Sequence, residues 1–127
     1  MKISEIYETA LYLGEKTDDS TGFIDAEYKK LHQIRGLELI KQSAASLSAI
    51  ENFEVLGLGQ LGYESELNIP YYFGKFVIPL YVAAILCKQD GEDDKYNILI
   101  YEYQEAVKRV KHNEESDFDI GILEGLR

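Results

Sequence analysis

Cysteine occurs once in these 127 residues, histidine twice and proline twice, and Lys plus Arg number 13 against 23 Asp plus Glu. The lone Cys87 can form no internal disulfide, and its apolar neighbours predict a buried, reduced thiol. His32 and His112 fall on different predicted helices, and no Cys-x-x-Cys, His-x-x-x-His or Glu-x-x-His spacing supplies a metal-ligand pair. Lys29 and Arg109 stand where the last of these would need glutamate. Neither a Gly-x-Ser-x-Gly elbow nor a Walker loop occurs. No cofactor is therefore expected, and no catalytic centre.

The shortage of cations leaves a formal charge of −10. Binding to a nucleic-acid backbone draws its affinity from Lys and Arg, and attachment to anionic lipid does the same, so both are disfavoured. The start, Met1-Lys2-Ile3-Ser4-Glu5, lacks the apolar stretch and small-residue cleavage site of a leader. The most apolar run, 69–87, contains Pro70, Gly74, Lys75 and Pro79 and barely attains the ~20 residues a spanning helix requires. A buried core helix is expected there, in a protein that is cytoplasmic where it is made.

What is present suits a single folded domain: 46% hydrophobic residues, ten Tyr and five Phe. Helical spacing of Ile3, Ile6, Tyr7, Ala10, Leu11 and Leu13 predicts a first helix over 4–13, stopped at Gly14. Residues 15–22 read as an exposed loop. A second helix is predicted over 25–50, capped by Asp25, with Tyr28, Leu31, Ile34, Leu37, Ile40, Ala44 and Leu47 as its buried face. Gly36 inside it predicts a bend or a close helix crossing.

Three glycines and partial alternation over 51–69 argue against helix and for an extended loop or short β-hairpin. A third helix follows over 70–88, nearly all apolar from Leu80 to Leu86, with Pro79 forcing a kink or a new start. A fourth, over 92–112, shows a stripe of Tyr96, Leu99, Ile100, Tyr103, Ala106, Val107 and Val110. Acids crowd its first turn and Lys108, Arg109, Lys111 and His112 its last, both matching the helix dipole. The expected fold is all-α: a small four-helix bundle over 1–112 with an extended loop at 51–69. Residues 113–127 form a C-terminal docking arm in this reading.

Gly57-Leu58-Gly59-Gln60-Leu61-Gly62 fits the G-x-G-x-x-G dinucleotide pattern, but acids and then Pro70 follow it where a helix should open. Carboxylate pairs abundant enough for hydrolysis lie in loops and on solvent faces, where ionised surface acids are the simpler reading. Two non-helical stretches hold apolar side chains that a lone subunit would struggle to bury. Val55, Leu56, Leu58, Leu61, Tyr63 and Leu67 form one set, and Phe118, Ile120, Ile122 and Leu123 the other. These are expected subunit contacts. Lys29, Lys30 and Arg35 on the second helix face an acidic loop carrying Glu64 and Glu66, either within one chain or head to tail between copies.

The order of these pieces resembles the head–tail connector proteins of bacteriophages and prophages. The likeness is carried by Ile3-Ser4-Glu5-Ile6-Tyr7-Glu8-Thr9-Ala10-Leu11, the long second helix and the extended middle segment. Ile78-Pro79-Leu80-Tyr81-Val82-Ala83-Ala84-Ile85-Leu86, the acidic turn after it and Tyr101-Glu102-Tyr103-Gln104-Glu105-Ala106 complete it, so that it covers 3–110. The resemblance implies a structural virion protein, assembled in the host bacterial cytoplasm. It implies a homo-oligomeric ring that joins the portal to a further connector or tail protein and lets DNA pass without specific binding. It brings no catalytic residues. A monomeric acidic interaction or inhibitor module is the alternative, and a small paired-carboxylate enzyme a third reading.

Overall fold

The structure, a computed structural model, describes residues 1–55 and 57–123, of which 111–123 are described as backbone alone. Four helices carry the fold: α1 (Ile3–Leu13), α2 (Ala26–Glu51), α3 (Ile78–Gln89) and α4 (Asp93–Leu123). Helix α3 is the centre, packed against α1, α2 and α4. It is the most apolar helix and buries Ile78, Val82, Ala83, Ala84, Leu86 and Cys87. Among the described residues there is no strand, only the isolated bridges Lys2–Glu66 and Thr17–Ile24. The chain is all-α.

Local chemistry sets each helix end. Asp25 accepts from the amides of Glu27 and Tyr28 and so caps α2, supplying two of its free N–H groups with a partner. Helix α3 closes with a Schellman turn: the Glu92 amide reaches back to the Cys87 carbonyl at 2.9 Å, with Gly91 at φ +76°. Helix α1 ends the same way through Lys16 N–H to Leu11 O, with Glu15 in the left-handed region at φ +57°.

Pro79 neither breaks nor restarts its helix. The chain is already helical at 71–72 and passes through a π-turn, Phe73–Val77, before α3. There the Ile78 amide bonds to Phe73 O, five residues back. The wider ring takes up the space a proline ring needs near the carbonyl four residues before it. A kink becomes a bulge.

Gly36 marks a close crossing. A β-carbon at that position would overlap Cδ1 and Cε1 of Tyr7 on α1, so only glycine lets α1 and α2 approach this near. Tyr7 is fully buried, and its hydroxyl donates to the Lys29 carbonyl at 2.9 Å.

Of the two forms left open for 51–69, the structure has the loop and not the hairpin: it carries a 3₁₀ turn at Leu58–Gln60 and is laid along the start of α1. Ile3 and Ser4 donate to the carbonyls of Ser65 and Tyr63, and Leu67 donates to Met1 O at 3.0 Å. The amides left open at the N-terminus of α1 take those partners, so the loop is held by the helix it covers. One expectation needs correction: α4 continues as helix to Leu123 rather than ending near 112. Between 113 and 120 the sequence contains neither Gly nor Pro to stop it.

Candidate functional site

The most enclosed charges lie where the 15–25 loop, α2 and the α3–α4 turn meet. Lys16, only 8% exposed along its side chain, pairs with Asp90 at 2.7 Å and with Glu92. The Tyr28 hydroxyl donates to Asp90 at 2.6 Å, and the Lys16 ammonium sits 5.1 Å from the centre of the Tyr28 ring. Lys95 ties Glu92 to Glu15, at 2.8 and 3.3 Å. Burial works against the Asp90 carboxylate, but hydrogen bonds from Lys16 and Tyr28 outweigh it and hold its pKa below the ordinary range. Hydrogen bonds from Lys16 and Lys95 lower Glu92 as well.

A general acid at neutral pH needs the opposite shift. These two carboxylates are occupied anions, and the cluster reads as a clamp joining three segments. Beside it, burial pushes the Cys87 thiol up, and the Sγ lies 3.8 Å from the Gly14 carbonyl oxygen. His32 stacks on Tyr28 with ring centres 4.1 Å apart. Among the described residues no cluster of His, Cys, Asp and Glu is placed to hold a metal, and no helix is long and apolar enough to cross a membrane. No helix opens after Gly62 in the Gly57–Gly62 stretch, so the phosphate-cradling geometry is absent there.

The expected contact residues of the middle loop are turned inward. Leu67 is in the core, while Val55, Leu58, Leu61 and Tyr63 are half-buried and packed against it. Leu56 lies outside the described residues, as do the side chains of Phe118, Ile120, Ile122 and Leu123. The backbone carrying that last group is helical, not the irregular arm expected. Most of the charge candidates are paired within the chain. Lys29 meets Glu8 at 2.7 Å, Glu64 meets Lys2 at 3.7 Å, and Glu66 meets the Met1 amine at 2.8 Å. Arg35 lies 3.8 Å from Glu38, and Lys30 is exposed.

Two other surfaces stand out instead. The first is a ridge on α2: Leu31 and Ile34, expected in the core, are 73% and 76% exposed. At 100° per residue they point roughly 180° away from Gly36, Ile40 and Leu47, which α2 buries. The second is an open groove of about 700 Å³ between α1, the π-turn and α4. Leu13, Tyr72, Phe76, Leu80, Tyr101 and Ala106 give it apolar walls, and Lys75, Glu102, Glu105 and Arg109 supply its charges. Phe76 and Tyr101 are each more than half exposed. Because the π-turn turns Phe73, Gly74 and Val77 inward, Tyr72, Lys75 and Phe76 are left along the groove.

A signal for the ridge is present in the sequence. Tyr28, Leu31, Ile34, Leu37 and Ile40 are spaced by threes, and each such step lags a full helical turn by about 60°. Four of them carry the stripe most of the way round the helix. The groove has no comparable signal, since its walls come from residues as far apart as Thr9 and Arg109. No family model, no curated protein and no solved structure matches this chain.

Proposed function

We propose that the protein is a structural assembly subunit, a ring-forming adaptor between portal and tail like the phage connectors its sequence resembles. The observation that carries this reading is the pair of apolar surfaces, the Leu31–Ile34 ridge and the 700 Å³ groove, that the chain leaves uncovered. Scattered surface hydrophobics need no explanation, but neighbouring ones on a helix and an aromatic-walled groove are what interfaces use. The formal charge of −10 supports the channel role, since acidic walls would repel DNA and let it slide.

Magnitudes set what assembly requires. Fully burying an Ile or Leu side chain is worth about 1.5–3 kcal/mol, whereas association costs about 4–15 kcal/mol in lost freedom. A ridge of two side chains is too weak to hold dilute subunits together. A portal that gathers them removes most of that cost. The expected result, by light scattering, is a monomer when dilute and a ring-sized complex once portal protein is added. A mass that stays monomeric in both conditions would remove the reading, and portal or capsid genes beside this one would strengthen it.

One observation favours a monomeric acidic interaction module instead. The 51–69 loop folds onto its own chain, and Lys29, Glu64 and Glu66 find partners inside it. That module would stay monomeric at every concentration and bind a single basic partner.

A further inference from the structure

We propose that Asp90–Gly91 is a latent site of isoaspartate formation, held unreactive by the clamp, and that a chain which reacts there cannot rebuild the clamp. The inference stands apart from the assembly reading and holds for either function. Of the ten glycines in the sequence only Gly91 follows an aspartate, and none follows an asparagine. Glycine in that place leaves its own nitrogen unshielded, since it adds no Cβ and lets the backbone turn freely.

The step conserves atoms. Gly91 N gives up its proton and attacks Cγ of the protonated Asp90 carboxyl, closing a five-membered imide as the C–O bond breaks and water leaves. Water then adds back at one of the two imide carbonyls. Opening at Cγ restores aspartate, whereas opening at the main-chain carbonyl carbon routes the backbone through Cβ and Cγ. The mass is unchanged, and no oxidant takes part.

Three restraints oppose this in the folded chain. The nucleophile is engaged, because the Gly91 amide donates to Lys88 O at 3.2 Å in the turn that ends α3. The electrophile is engaged too: Asp90 Oδ2 accepts from Lys16 at 2.7 Å and from the Tyr28 hydroxyl at 2.6 Å. Both bonds favour the ionised carboxylate, which a nitrogen anion does not attack. Geometry is the third. Ring closure needs Asp90 Cβ and Gly91 N nearly eclipsed about the Cα–C bond, far from the ψ of 2° found there. Reaching it swings the Gly91 amide off Lys88 and undoes the turn.

Lys16 belongs to the 15–25 loop and Tyr28 to α2, so the protection is tertiary and fails when those segments part from the turn. The product carries an extra methylene in its main chain and its carboxylate directly on Cα. The anion that Lys16 and Tyr28 share is thereby displaced, and the clamp stays undone.

The test holds full-length protein for weeks at physiological temperature and mildly acidic pH, then digests it and scores the 90–91 peptide by isoaspartyl methyltransferase labelling. The same chain in urea sets the unprotected rate, and the folded parent is expected to react about a hundredfold more slowly. Lys16→Met, checked for native helicity, is expected to react about tenfold faster than the parent, equivalent to 1.4 kcal/mol taken from the clamp. Tyr28→Phe keeps the ring, loses one hydrogen bond, and is expected to react severalfold faster. Leu67→Ala weakens the core at the far end of α1, where Leu67 N–H meets Met1 O, and is expected to leave the rate unchanged.

A folded parent as fast as the unfolded chain overturns the proposal, as do Lys16→Met and Tyr28→Phe proteins no faster than the parent. Equal acceleration in Leu67→Ala overturns it too, because overall stability and not the clamp would then be the guard. The isomerised fraction, separated by chromatography, is expected to melt below the parent. One that melts with the parent would refute the loss of the clamp.

Discussion

Replacing Gly36 with alanine will cost the fold about 2 kcal/mol and lower its melting temperature by roughly 8 °C. Ordinarily the change would help, because alanine is favoured over glycine in a helix by about 1 kcal/mol. Here the added methyl lands on the Tyr7 ring, and that ring has nowhere to go. Its face is sealed in the core, its hydroxyl is bonded to Lys29 O at 2.9 Å, and Tyr63 meets it edge-on at 6.0 Å. Relief has to come from moving α1 off α2, which opens the core at a crossing both helices depend on. Gly59→Ala is the control, since a β-carbon there meets no atom within 4 Å. Thermal unfolding followed by circular dichroism reads both, and a Gly36→Ala protein as stable as the parent would refute the close-crossing account.

Lys16→Met is expected to have the larger effect at neutral pH, about 2–3 kcal/mol. Removing one partner of a fully buried ion pair costs about 3–5 kcal/mol because the other charge is stranded. The discount reflects the solvent that still reaches Asp90 and Glu92, at 25% and 31% exposure. The loss also depends on pH in a definite direction. Both carboxylates titrate lower in the folded chain than in the unfolded one, so their contribution is complete above about pH 5. It fades as pH falls through the depressed values. Burial disfavours the Lys16 ammonium, but its hydrogen bonds to Asp90 and Glu92 raise its pKa, so its contribution is lost only as pH rises beyond the ordinary lysine range. Urea titrations at pH 7 and pH 3 should therefore show a wide gap between parent and variant at the first and a narrow one at the second. An equal gap at both would mean that packing, not charge, sets the cost.

Helix identity was legible because it rests on local chemistry. Asp25 announces the start of α2, Gly14 and Gly91 the ends of α1 and α3, and the apolar run around Leu80 to Leu86 the centre of the bundle. Gly36 signalled a crossing, although only the fold could say that Tyr7 occupies the space. What failed did so for physical reasons. Steps of three along α2 looked like one face, yet they spiral, and Leu31 and Ile34 emerge on the side away from the core. For 51–69 the sequence left loop and hairpin both open, and the open amides of α1 decided for the loop, being a better partner for that backbone than its own other half. The cations from Lys108 to His112 looked like a last turn, but charge alone does not end a helix, and no Gly or Pro follows before Gly121 to stop it. The groove escaped notice altogether, as its parts are distant in sequence and meet only through the packing of α1 and α4 around the π-turn.

Having a single sulfhydryl, sealed at the junction of α1's end with α3, gives this protein a built-in clock. A disulfide reagent cannot touch Cys87 until the bundle parts, so the speed of labelling counts openings rather than surface encounters. With reclosing fast relative to reaction, each 1.4 kcal/mol removed from the fold should quicken labelling about tenfold. The Gly36→Ala and Lys16→Met proteins should thus react in the order of their losses, with no chromophore or tag added. Labelling of the parent as fast as that of a free thiol would mean the seal does not exist.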